Sequence, residues 1–220
     1  MMELVSPVPN VPPPHGGRPV MVVGAQPRRA RGAVVMLHGR GATSADILTL
    51  VPELAQSDLT FWAPQAAGFT WYPQRFLAPL AANEPSLSSA LALVSGLLDE
   101  LEELGLPAEK TALLGFSQGA CLALESALRR PRRYAGVIAF TGGLIGPPGT
   151  VWRAPASLAG TPVFIGTSDR DPHVPRERAE ESARVLELAG AVVDLRIYPG
   201  LGHTVVEDEL EAARAILSAI

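Results

Sequence analysis

Cysteine is almost missing from this chain of 220 residues: Cys121 stands alone, so neither an intramolecular disulfide nor a cysteine-based zinc site can be built. Aromatic residues make up only 5% and charged residues 18%. No apolar stretch approaches the roughly 20 residues that a membrane-spanning helix needs. The N-terminus also lacks a basic start followed by an apolar run, so the expectation is an unexported, cytoplasmic protein with no stable membrane association. A formal net charge of -4 offers no broad attraction to phosphate backbones. The one dense basic run, Arg129, Arg130, Arg132 and Arg133, falls at the end of a helical segment, where cations offset the negative end of the helix dipole. Nucleic acid is therefore not an expected partner. Arginine supplies every basic residue except Lys110, and with abundant Ala, Gly and Pro this suggests a GC-rich bacterial genome.

What is present is 47% apolar residues, enough for one sizeable core and too short a chain for two comfortable domains. Residues 1–17 hold Pro7, Pro9, Pro12, Pro13 and Pro14 and little to bury, which predicts an extended N-terminal arm. Residues 18–220 read as a single α/β domain. Short apolar runs at 20–24, 33–38, 59–63, 111–115, 135–141, 162–167 and 192–198 alternate with segments of helical spacing. That alternation predicts a mostly parallel sheet of about seven strands with helices on both faces. Leu87, Leu91, Val94, Leu98 and Leu101 recur every three or four residues, with Asp99, Glu100, Glu102 and Glu103 on the far side, so this segment is an amphipathic surface helix. Helices are also expected over 118–130 and about 205–219.

Gly115-Phe116-Ser117-Gln118-Gly119 matches Gly-X-Ser-X-Gly, a pattern that chance would place in such a chain roughly one time in ten. Its position carries more weight. It follows the buried-type run Thr111–Leu114 and precedes the helical Ala120–Leu124, the strand–turn–helix context that lifts a serine above the sheet edge. A serine hydroxyl is a poor nucleophile at neutral pH, so Ser117 requires a base and an acid that orients it. His203, in the loop Pro199–His203 after the last strand, is the expected base. His15 lies in the arm, His38 ends a strand at a Gly-rich turn, and His173 sits too near the acid loop to be oriented by it. In Ser168–Pro172 two aspartates compete: Asp171 lies deeper and is favoured, while Asp169 could cap the turn or pair with Arg170. The order Ser117, Asp171, His203 is that of the α/β-hydrolase fold.

An acyl-transfer site also needs two N–H donors for the developing oxyanion. The residue after the nucleophile, Gln118, supplies one, and Arg40 in the turn Leu37–Gly41 is assigned the other. Trp71, Tyr72 and Phe76 form an aromatic cluster without helical or strand period, read as a wall of the substrate pocket. The stretch between the third strand and the helix near Ser86 is too short for a large lid. The reading is a serine hydrolase that cleaves esters of small or short-chain acyl substrates through an acyl-enzyme. Thioesterase and lysophospholipase activity are the alternatives, as is a ligand-binding protein on the same scaffold; a homodimer is left open.

The motifs LHGRG at 37–41, WYPQRF at 71–76, NEP at 83–85, GFSQGA at 115–120, DRDPHVP at 169–175 and GH at 202–203 together resemble the phospholipase/carboxylesterase family of small bacterial hydrolases, which includes the acyl-protein thioesterases. The resemblance implies Ser117, Asp171 and His203 as the triad, the N–H groups of Arg40 and Gln118 as the oxyanion hole, and no metal or organic cofactor. Acyl-protein thioesterases usually carry an aliphatic residue where Arg40 stands and an acidic residue soon after the tryptophan equivalent to Trp71. This chain has neither and is more similar to the HGRG-type carboxylesterases.

Overall fold

The computed structural model describes residues 3–5, 8–153 and 156–220, the first three by backbone alone. The seven apolar runs become β2 (Val20–Gly24), β3 (Gly32–Leu37), β4 (Leu59–Pro64), β5 (Thr111–Phe116), β6 (Gly136–Phe140), β7 (Pro162–Ser168) and β8 (Val192–Tyr198). An eighth strand, β1 (Glu3–Val5), pairs antiparallel with β2 at one sheet edge. The order is β1-β2-β4-β3-β5-β6-β7-β8, antiparallel from β1 to β4 and parallel from there on. This is an α/β-hydrolase fold. The central strands β3 and β5 are buried on both faces, which is why they read as unbroken apolar runs.

Among the described residues, six α-helices cover the two faces. Helices α1 (Ser44–Leu48), α2 (Val51–Leu54) and α6 (Glu207–Ser218) close one core, built on Val34, Phe61, Leu114 and Phe164. The other face carries α3 (Ser86–Glu103), α4 (Gln118–Arg129) and α5 (Arg176–Leu188) over Val35, Leu113, Val137 and Ile165. Helix α3 buries Leu87, Val94, Leu98 and Leu101 as its spacing predicts. Helix α4 is buried from Gln118 through Leu128, because it lies between the sheet and α3. The arginines beyond it are engaged locally. Arg129 pairs with Glu125 of its own helix at 2.7 Å, while Arg130 meets Asp99 and Arg132 meets Glu102 at 3.5 Å on the acidic far side of α3.

The N-terminal stretch differs from the expected arm. The portions at 1–2 and 6–7 lie outside the described residues. Val8 joins the core, and His15 is fully buried. Ser89 on α3 fastens this stretch by donating its hydroxyl to the Pro12 carbonyl at 2.6 Å and accepting from the His15 N–H at 3.0 Å. Proline-rich chain without helical or strand period gives no sign of such burial, because single side chains carry it.

The parallel strands run their C-terminal ends to one edge, where the loops after β3, β5, β7 and β8 meet; open α/β sheets place their sites at that edge. The tightest approach lies under it. A Cβ at Gly119 would stand 2.0 Å from the Leu37 carbonyl oxygen, and one at Gly115 would stand 2.3 Å from the Gly119 backbone. Both obstacles are backbone and cannot rotate away. Gly119→Ala should therefore destabilise the fold by at least about 2 kcal/mol, the scale of overpacking a dense core. Chemical denaturation is the measurement, and a midpoint equal to wild type would contradict this account.

Candidate active site

Ser117 stands between β5 and α4 with φ 56° and ψ −117°, a left-handed conformation that few non-glycine residues adopt. Its backbone N–H donates to the Phe140 carbonyl on β6 at 2.9 Å, while its own carbonyl accepts from Cys121 N–H at 3.0 Å. The elbow is thus pinned from both sides and directs Ser117 Oγ into the cavity.

His203 Nε2 lies 2.8 Å from Ser117 Oγ, and His203 Nδ1 lies 2.7 Å from Asp171 Oδ2. These three residues come from the ends of β5, β7 and β8. The Asp171 side chain is fully buried, whereas His203 keeps 19% of its side chain exposed. Burial pushes the Asp171 carboxyl up, but hydrogen bonds from His203 and from the N–H groups of Val174 and His173 outweigh it and hold the group below its ordinary value. A carboxylate facing Nδ1 fixes the proton there and leaves the Nε2 lone pair toward Ser117.

Asp169 takes a separate part. Its Oδ1 accepts from the Gly200 N–H at 2.7 Å, and the neighbouring Ser168 hydroxyl donates to the Leu201 carbonyl. Both tie the loop carrying His203 to the end of β7. Arg170 is not its partner among the described side-chain contacts.

A cavity of about 380 Å³ opens beside Ser117 and His203, lined by Arg40, Tyr72, Phe76, Phe116 and Val174 among others. Tyr72 and Phe76 are among the residues lining it. Trp71 is not: it is fully buried behind the wall, its Nε1–H donating to the His38 carbonyl at 2.8 Å and its ring between His15 and His38. An indole has a donor to satisfy when buried, and the strand-end carbonyl of His38 satisfies it.

The loop at 70–74 is held by two side chains whose roles the sequence does not reveal. The Arg40 guanidinium donates to the carbonyls of Tyr72 at 3.0 Å, Pro73 at 2.8 Å and Gln74 at 2.5 Å. Gln118 Oε1 accepts from Trp71 N–H at 2.9 Å, and its Nε2 donates to the Tyr72 carbonyl at 2.8 Å. The Arg40 and Gln118 side chains therefore brace the cavity wall from the turn after β3 and from the start of α4. His173, set aside as a base, lines the cavity and stands edge-on to His203 with ring centroids 4.9 Å apart. Its neighbourhood to the acid loop is the one sequence signal for that placement. Cys121 also lines the cavity, but burial pushes its thiol up to about 12, so it is no thiolate rival to Ser117.

The family's sequence profile, described as Phospholipase/Carboxylesterase, matches residues 19–220. The chain belongs to the phospholipase/carboxylesterase family. A crystal structure of a phospholipase/carboxylesterase from Dyadobacter fermentans is 45% identical, covers 94% of this chain and 100% of its own, and superposes with a TM-score of 0.89. The crystal structure of esterase PE8 is 29% identical over 98% of both chains, with a TM-score of 0.73. Acyl-protein thioesterase 1 of Eremothecium gossypii is 28% identical over 90% of this chain and 91% of its own. This family member is a carboxylesterase-family hydrolase, as its motifs imply, and among its described residues no helix is long and apolar enough to cross a membrane.

His15 and His38 form the frame behind the site. His15 Nδ1 accepts from Ala67 N–H at 3.0 Å while Nε2 faces the Trp71 carbonyl at 2.9 Å; His38 Nε2 accepts from Ala66 N–H at 3.1 Å while Nδ1 faces the Gly39 carbonyl at 2.8 Å. Each ring is neutral with a fixed tautomer, and burial is the main cause that lowers both below the ordinary imidazole value of about 6.5. Below that value the unfolded chain binds protons that the folded chain refuses, so stability present above it is lost as pH falls. Urea midpoints should be level from pH 8 to about 7 and drop between about pH 6.5 and 5, with a smaller drop in a His15→Gln/His38→Gln double variant. A wild-type profile that is level down to pH 5 would contradict the buried neutral rings.

Proposed function

We propose that this carboxylesterase-family hydrolase cleaves carboxylic esters of small acyl substrates with Ser117 as nucleophile, His203 as general base and Asp171 as the residue that orients it. The observation that carries the reading is the continuous chain from Ser117 Oγ to His203 at 2.8 Å and from His203 to Asp171 at 2.7 Å. Ser117 Oγ attacks the ester carbonyl as its proton passes to His203 Nε2. The imidazolium formed is stabilised by Asp171 and returns the proton to the departing alcohol. Water then attacks the acyl-enzyme, again deprotonated by His203, and the acid leaves with Ser117 restored. The oxyanion of each tetrahedral intermediate is received by the backbone N–H groups of Gln118, at the free N-terminus of α4, and Arg40.

A cavity of about 380 Å³ suits a small or short-chain acyl group. The likeness to an acyl-protein thioesterase favours thioester cleavage as a second reading, since the same serine chemistry serves both. Against it stands Arg40, whose side chain braces the cavity wall at the position usually aliphatic in those enzymes.

Ser117→Ala should lower kcat/KM toward p-nitrophenyl acetate or butyrate by at least about a thousandfold and abolish labelling by a fluorophosphonate probe. Full activity in that variant would end the proposal. The two aspartates should separate. Asp171→Asn, which presents an amide where a carboxylate fixes the tautomer, should cost about a thousandfold or more, whereas Asp169→Asn, which loosens only the loop tether at Gly200, should cost about tenfold. Equal losses would assign the orienting role wrongly. An ester series of rising chain length beside an acyl-CoA should show the highest kcat/KM among short esters; a preference for the acyl-CoA would favour the thioesterase reading.

A further inference from the structure

We propose that the cavity beside Ser117 selects esters whose acyl portion ends in a carboxylate, received by Arg75 at the rim with the Tyr72 hydroxyl as a neutral donor in the wall. The proposal rests on the esterase reading above and names the substrate class of that same site.

The charge lining the cavity is one-sided. Arg40 and Arg75 both line it, and no aspartate or glutamate does. The one carboxylate close by, Asp171, has its side chain fully buried and its oxygens occupied by His203, His173 N–H and Val174 N–H. Some arginines elsewhere meet carboxylates, Arg31 with Asp58, Arg178 with Glu181 and Arg214 with Glu207, while others, such as Arg133, donate to backbone carbonyls instead. Among the described residues, neither Arg40 nor Arg75 has a carboxylate partner. Arg40 spends its donors on three backbone carbonyls, which leaves Arg75 as the guanidinium available to a ligand.

Arg75 is also set on a prepared loop. Its carbonyl accepts from Asn83 Nδ2 at 3.3 Å and from Ala78 N–H at 3.0 Å, and Gln74 N–H just before it donates to Asn83 Oδ1 at 2.8 Å. Asn83 is fully buried, so the backbone under Arg75 is fixed from below while its side chain reaches the rim. Tyr72 supplies the second observation. It is buried to 1% exposure and lines the cavity, and among the described residues its hydroxyl has no nitrogen or oxygen partner, only the Cys121 thiol beside it. Sulfur is a weak acceptor, so a ligand oxygen would satisfy this buried donor better. Burial holds the phenol protonated, so it donates to an oxygen rather than repelling an anion.

Phe76, Phe116 and Val174 also line the cavity and give it apolar surface suited to a few methylenes. Arg75 is exposed at the rim, where its guanidinium presents a planar fork that matches a carboxylate. The ligand that fits is the half-ester of a short dicarboxylic acid.

The test compares two esters that differ in one charge: the p-nitrophenyl half-ester of glutaric acid and its methyl-capped diester. The wild-type ratio of kcat/KM, anion over neutral, should be at least about tenfold at low ionic strength and should fall as sodium chloride screens the pair. Arg75→Gln should lower that ratio by about fivefold or more, Arg75→Lys should keep much of it, and Tyr72→Phe should lower it less than Arg75→Gln does. The p-nitrophenyl ester of 4-phosphonobutyric acid joins the series; a higher ratio for it than for glutarate would overturn carboxylate selection in favour of a phosphoryl group. A wild-type ratio near one, or one that Arg75→Gln does not move, overturns the proposal while esterase activity stands. Absence of turnover of every ester would instead overturn the esterase reading. The anion preference is then decided by equilibrium binding to Ser117→Ala, where the half-ester should bind several-fold more tightly than the diester and equal binding would refute it.

Discussion

The backbone at Ser117 is held where an L-residue is unfavourable, and the rest of the site depends on that constraint. A conformation of this kind costs of the order of 1–3 kcal/mol. It persists because the segments on either side cannot move to relieve it. Ala112, Leu113 and Leu114 of β5 are fully buried, and α4 buries Leu122, Ala123 and Leu124 against the sheet and α3. At roughly 1.5–3 kcal/mol for each large apolar side chain, a few such residues outweigh the strain. The close passage of Gly119 under Leu37 then brings the turn after β3 beside the elbow, with Gly39 close to Ser117.

Arg40 and Gln118 couple the proposed oxyanion hole to the shape of the cavity. Their side chains reach the carbonyls of residues 72–74, so the turn after β3, the start of α4 and the aromatic wall form one hydrogen-bonded unit. A backbone donor is only as well placed as its neighbours allow, because catalysis by fixed dipoles requires that they be positioned before the charge appears. Arg40 therefore does more than carry the N–H proposed for the oxyanion. Its guanidinium makes the wall containing Tyr72 and the rim containing Arg75 part of the same rigid frame.

The sequence made the strands legible because a parallel sheet covered on both faces demands continuous apolar runs; every expected run from 20–24 to 192–198 is a strand. The helix α3 was legible from its spacing, and the elbow from glycines that the close packing requires. What stayed hidden depends on single polar side chains reaching backbone groups far along the chain. His15 meets Trp71, Asn83 holds the loop before it, and Asp169 fastens Gly200, and none of these has a period or a spacing that announces it. Trp71 misled for the same reason: an aromatic in an aperiodic loop can line a pocket or fill the space beneath it, and here a buried carbonyl for its indole N–H decides for the latter.

Histidine chemistry draws the last distinction. His15, His38 and His203 lie within one continuous region, connected through Trp71, the turn after β3 and Ser117, yet their surroundings give them opposite capacities. In His15 and His38 one ring nitrogen accepts from a backbone N–H and the other faces a carbonyl, so a second proton would set N–H against N–H in a buried place. Neither can take a proton without loosening the frame. His203 faces a carboxylate on one side and a hydroxyl on the other, and it retains partial access to solvent. Its protonated form keeps both partners, with Asp171 opposite the charge and the deprotonated oxygen opposite the new N–H. The partners of each ring, rather than its nearness to Ser117, separate the histidine that can carry a proton from the two that must stay neutral.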